Sequence, residues 1–160
     1  MGYLMNADQL KIVARLQDNL YTIRQLAGWS AEEMGGLLDI TRQTVYNLER
    51  GRPKMSWAQY LAIRKIIDLE IERQPDNFVL PKAVTVLLDD EELPESELTE
   101  LQEALKTIAK GMVSRSVNRK VALKLAMQTV DAATAGIAAG ALAKCSGAGI
   151  MSWLEISREA

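Results

Sequence analysis

The sequence predicts an all-α protein, and three observations carry that prediction. Apolar residues recur at spacings of three and four over long stretches, as one face of an α-helix requires. Ser and Thr stand just ahead of several such stretches and Gly or Pro just after them, the order in which helices are capped and stopped. No segment before residue 75 sustains the apolar-polar alternation of a half-buried strand.

The elements follow in order. Val13, Leu16, Leu20, Ile23 and Ala27 give a first helix from about 8 to 27, which Gly28 ends. Ser30 followed by Glu33 is a capping box that opens a short helix through Leu38, with Met34, Leu37 and Leu38 expected inside. Thr41 caps a third helix that turns Val45 and Leu48 inward and stops at Gly51-Arg52-Pro53. Ser56 starts a fourth, whose expected buried side is Trp57, Tyr60, Leu61, Ile63 and Ile67.

Gln74-Pro75-Asp76-Asn77 reads as a boundary, because proline disfavours helix in the residue before it and Asp and Asn favour turns. The segment KAVTVLLDD after Pro81 fits either a helix or a strand, and Pro94 interrupts it. Leu98, Leu101, Leu105, Ile108 and Met112 then step by three and four. The run is short for a coiled coil and suits a packed amphipathic helix better. Gly111, Ser114 and Ser116 mark a break before a last helix from about 117. Val117, Val121 and Leu125 lie on one side of it and Leu123, Met127, Val130 and Ile137 on another, so two packing partners are expected. The domain division is therefore 1–74, a linker with a short element over 75–97, and a helical domain over 98–160.

Composition narrows the function. The chain has 160 residues, 48% hydrophobic and 25% charged, with net charge −2, no histidine and one cysteine, Cys145. Such a chain buries a real core but lacks the usual neutral-pH base, an internal disulfide and a Cys/His zinc cluster. No enzyme, cofactor or metal is expected, and the cytoplasm is the expected location. Cys145 is read as a small packed residue, and Trp57 and Trp153 as core or interface.

Charge is uneven along the chain. Residues 1–74 carry ten Lys/Arg against nine Asp/Glu, and residues 75–160 nine against twelve. Asp89 to Glu103 holds eight acids and no base, and Lys106 to Lys124 six bases and no acid, blocks that can pair within or between chains. From Ala126 to Gly149, thirteen of 24 residues are Ala or Gly, including Gly136 with Gly140 and Ala143 with Gly147. That spacing lets helix backbones approach closely and suits self-association. Asp131 and Lys144 leave too short an apolar run for a membrane span, which needs about twenty residues.

The segment IRQLAGWSAEEMGGLLDITRQTVYNLERGRPKMSWAQYLAIRKII, residues 23–67, resembles the Cro and phage-repressor type helix-turn-helix domain, the xenobiotic-response-element family. It carries the entry Arg24-x-x-x-Gly28-Trp29-Ser30, the acidic and apolar pair Glu33 and Met34, the capped third helix, and Leu48-Glu49-x-Gly51. The resemblance implies a lambda-repressor-like domain whose third helix, 42–50, enters the major groove of double-stranded DNA. Arg42, Gln43 and Asn47 are then expected at base edges with Thr44 and Tyr46 beside them, since Arg pairs bidentately with guanine and Gln or Asn with adenine.

Phosphate contacts are expected from Ser30 and Thr41 at their helix starts and from Arg50, Arg52 and Lys54 after the third helix. Glu49 is expected to be structural, paired with an Arg such as Arg24 or capping a neighbouring helix. Departures from the family pattern are Ala31 where Gln is common, Asp39 where Gly is common, and the Gly35-Gly36 pair. Asp39 tolerates the left-handed conformation at modest cost, and one of the two glycines is expected to permit a tight helix crossing. The function expected is a sequence-specific transcriptional regulator. It is expected to be a dimeric repressor, with residues 98–154 joining the copies into a homodimer or larger. The alternative is a protein-interaction module, an antitoxin or immunity-type partner whose C-terminal helices cover another protein.

Overall fold

A computed structural model describes residues 4–90, 92–113 and 118–134, and the chain divides into two compact units, Met1–Leu80 and Pro81–Ala160. Among the described residues there are helices and no strand, as the periodicity predicts. Ser114, Ser116, Val117, Ile137, Cys145, Trp153, the 136/140 and 143/147 small-residue pairs and Lys144 lie outside the described residues.

The N-terminal unit is built on α1 (Ala7–Ala27), α2 (Ala31–Leu38), α3 (Arg42–Glu49) and α4 (Trp57–Arg73). Four side chains write the helix starts. Asn6, Ser30, Thr41 and Ser56 each accept a hydrogen bond from the amide three residues on, and three of these are reciprocal boxes closed by Gln9, Glu33 and Gln59. At the other end of α1, Gly28 takes a left-handed conformation at φ 84°, and its amide returns to the Arg24 and Gln25 carbonyls.

The core of this unit is Leu16, Leu20, Ile23 and Leu26 of α1 with Met34, Val45, Leu48, Ile63 and Ile67 of the other three helices, each at most 1% exposed. Full burial of each such side chain stabilises the fold by about 1.5 to 3 kcal/mol. Two sequence expectations are corrected here. Leu37 is 54% exposed and Leu38 only half-buried, because an eight-residue helix wedged between α3 and α4 presents one narrow face inward, and Met34 with Gly35 takes it. Leu61 is likewise 50% exposed: the inward line of α4 runs through Ile63, Ile67 and Glu70, while Trp57 and Tyr60 stack on each other half-buried, ring centroids 5.0 Å apart.

The ambiguous segment is helical: α5 (Val79–Val84) widens into a π-helical turn, Thr85–Asp89. The wider turn accommodates the consecutive buried residues Val86, Leu87 and Leu88, a run that matches neither helical nor strand periodicity. Asp90 accepts from the amides of Glu92 and Leu93 at 2.9 and 3.2 Å, which turns the chain toward Pro94. Immediately after that proline comes α6 (Glu95–Val113), which packs on α7 (Arg119–Thr134).

Leu101, Leu105 and Ile108 are fully buried. Of the residues expected on the two sides of α7, Leu125 and Val130 are buried and Val121, Leu123 and Met127 half-buried, while Ala122, Ala126, Thr129 and Ala133 complete the buried set. Small residues on α7, matched by Ala104 and Ala109 on α6, suit close helix packing. An ion pair between Lys82 and Asp131, 2.8 Å and half-exposed, joins α5 to α7. Among the described residues no helix is long and apolar enough to cross a membrane.

Candidate nucleic-acid interface

The turn between α2 and α3 fixes the geometry of the site. Asp39 sits in the left-handed region at φ 56°, ψ 41°, as its short polar side chain permits, and Ile40 donates its amide to the Gly35 carbonyl at 2.9 Å. Gly35 is what allows the chain to turn so closely. A Cβ there would lie 2.6 Å from the Ile40 carbonyl oxygen and 3.4 Å from the Thr41 carbonyl carbon, whereas a Cβ on Gly36 would meet nothing within 4 Å.

From this turn, α3 emerges with Val45 and Leu48 buried, which orients the rest of its surface. Arg42, Gln43, Tyr46, Asn47 and Arg50 share the opposite face, at the spacings of three, four, seven and eight that one side of a helix produces. Arg42, Gln43 and Arg50 are exposed, and Tyr46 and Asn47 half-buried. Gln43 donates to the Asn47 side-chain oxygen at 3.0 Å, so the two amides hold one another in register one turn apart. Thr44 lies beside this face, half-buried, with its hydroxyl 2.8 Å from that of Thr41.

The two helix starts differ electrostatically. At α2 the Glu33 carboxylate accepts from the Ser30 amide at 3.0 Å, and Glu32 stands beside it, so acid already answers the positive end of that helix. The first turn of α3 holds no acid, its cap Thr41 accepts from the Thr44 amide at 3.1 Å, and Arg42 adds a positive charge. Ala31 is buried at 3% exposure and offers only a methyl group where the family pattern often has Gln.

After α3, Arg50, Arg52 and Lys54 are all exposed on the segment leading to α4. Gln17 of α1 holds that segment in place. It is 6% exposed and donates to the Leu48 and Pro53 carbonyls at 3.0 and 2.8 Å while accepting from the Met55 amide at 2.9 Å. One side chain thus satisfies three backbone groups, one in α3 and two in the segment that follows it.

A second buried polar contact locks α3 itself. Arg24 binds Glu49 through Nε to Oε1 and through Nη2 to Oε2 at 3.3 Å, gives Nη1 to the Trp29 carbonyl at 2.9 Å, and lies over the Tyr21 ring. Glu49 is therefore structural, as expected. Glu70 of α4, 5% exposed, is held by Arg73 at 2.8 and 2.9 Å, by Gln74 and by the Trp29 side chain. These hydrogen bonds, led by that of Arg73, hold the Glu70 carboxyl below its usual value.

Gln17 and Glu70 do not emerge from sequence reasoning about the site. The signal available for Gln17 is positional: Val13, Gln17, Leu20, Arg24 and Ala27 fall on one helical face, so two polar residues stand in the apolar stripe and must find partners.

Two short helices joined by a tight turn, the second with a polar outer face and both braced by longer helices, define a helix-turn-helix unit. Residues 18–73 match the family model described as a helix-turn-helix domain. No curated protein and no solved structure matches the chain.

Proposed function

We propose that the protein is a sequence-specific DNA-binding transcriptional regulator, a dimeric repressor acting in the cytoplasm, that reads the major groove with α3. The observation that carries this reading is the outward face of Arg42, Gln43, Tyr46, Asn47 and Arg50, bounded by the acid-free start of α3 and the pinned basic segment. Arg42, Gln43 and Asn47 meet base edges, with Thr44 and Tyr46 at the margin. Ser30, Thr41, Arg50, Arg52 and Lys54 meet phosphates and set register. Residues 1–74 form the reading domain, 75–97 the connection and 98–160 the self-association region, which doubles the free energy available from one module.

A mobility shift on the DNA flanking the protein's own gene, at two salt concentrations and with and without residues 76–160, tests the reading. A specific shift that weakens both with salt and on truncation supports a dimeric regulator. No shift of any such fragment by the full-length protein contradicts it.

A further inference from the structure

A groove of about 500 Å³ opens on the N-terminal unit beside the basic segment. Leu10, Val13 and Ala14 of α1 and Met55 after α3 give it an apolar wall, and Leu10 is 51% exposed there. Lys11, Lys54 and Asp18 also line it, two cations against one acid, and burial pushes the Asp18 carboxyl above its usual range. The volume lies within the range of roughly 300 to 1,000 Å³ typical of small-molecule sites, and an apolar wall with a few charges is their usual chemistry. Gln17, the side chain that pins the basic segment, lines the same groove.

We propose that this groove binds a small amphipathic organic anion, its apolar body against Leu10, Val13, Ala14 and Met55 and its anionic head on Lys11 and Lys54, and that occupancy weakens DNA binding. The excess of cations selects the sign of the head group. The coupling has two physical sources: a head group on Lys54 takes the charge proposed for a phosphate, and a body packed against Gln17 and Met55 displaces the latch that orders Arg52 and Lys54. The second half of the proposal rests on the DNA-binding reading; the first half does not.

Calorimetric titration of the full-length protein with decanoate below its micellar concentration tests the site, with decanol and decyltrimethylammonium as neutral and cationic counterparts. Saturable one-to-one binding of decanoate, roughly fivefold to tenfold tighter than either counterpart, is expected. Ala14→Phe and Leu10→Glu, checked for folding by circular dichroism, should each abolish that binding and leave an operator mobility shift unchanged. Saturating decanoate should raise the operator dissociation constant of the unaltered protein roughly tenfold.

No saturable binding, equal binding of all three probes, or binding that persists in both folded variants overturns the site. So does a fall in sedimenting mass of Leu10→Glu without any decanoate binding, which would make the groove a contact between copies. Decanoate binding by a protein that shifts no DNA leaves the groove standing and removes the DNA reading. A shift that decanoate does not weaken removes the coupling.

Discussion

Arg24 at the end of α1 and Glu49 at the end of α3 form a buried two-point ion pair, with side chains 5% and 7% exposed, that ties the C-terminal end of α3 to the first helix of the core. The pair also fixes the entry to α2, because the same guanidinium holds the Trp29 carbonyl. Removing one partner strands a charge out of water, so Glu49→Ala and Arg24→Ala should each destabilise the protein by about 3 to 5 kcal/mol in urea unfolding. The double change Arg24→Met with Glu49→Leu should recover much of that loss, since an apolar pair of similar volume carries no desolvation penalty. If the losses of Arg24→Ala and Glu49→Ala simply add in the variant that carries both alanines, the residues are not coupled.

Gly35 and Gly36 are adjacent in one helix and face opposite constraints. Gly35→Ala drives a methyl group into the Ile40 carbonyl, a backbone atom that cannot swing aside, and should cost about 1 to 3 kcal/mol while reducing DNA affinity by shifting α3. Gly36→Ala enters open space in an exposed helical position and should stabilise the protein by about 0.5 to 1 kcal/mol. Thermal or urea unfolding of the two variants side by side reads the sign directly.

The Glu70 cluster makes part of the stability depend on pH. Its folded carboxyl titrates below the ordinary value of 4.5, because Arg73, Trp29 and Gln74 all favour the charged form. The contribution is therefore complete above 4.5 and is lost as pH falls through the lower folded value. Glu70→Gln should be the less stable protein at neutral pH, with the gap closing progressively below 4.5. Urea midpoints measured across that range check it, and a gap that stays constant with pH would mean that the cluster acts by packing alone.

What the sequence made legible follows from how local each signal is. The caps at Ser30, Thr41 and Ser56 and the stop at Gly28 are decided within four residues, and all four act as read. Leu37 and Leu61 were misplaced because apolar character alone does not say how narrow a face a short or one-sided helix buries. The run Val86 to Leu88 was ambiguous for a related reason: consecutive apolar residues carry no period, and the π-helical turn that buries them answers to packing. Gln17 required a contact 31 to 38 residues away in sequence, which no local pattern contains. The outward face of α3 was legible as soon as Val45 and Leu48 were assigned inward, since the rest of a helix follows from its period.

That face can be divided by what each residue should do to binding. Arg42→Ala and Asn47→Ala are expected to relax discrimination at a single base step by about 1 to 3 kcal/mol each and to leave binding to unrelated DNA almost unchanged. Arg52→Ala and Lys54→Ala are expected to weaken binding to all sequences alike and to reduce the slope of log affinity against log salt by about one each. Gln43 complicates the division, because it already donates to the Asn47 side-chain oxygen. If that bond orients Asn47 for an adenine edge, Gln43→Ala loses affinity even where Gln43 itself touches no base, and the Gln43→Ala, Asn47→Ala pair falls short of additivity. Affinities of the four combinations on the preferred site and on single-base variants of it measure the coupling. Strict additivity would mean that the two amides act on the DNA independently.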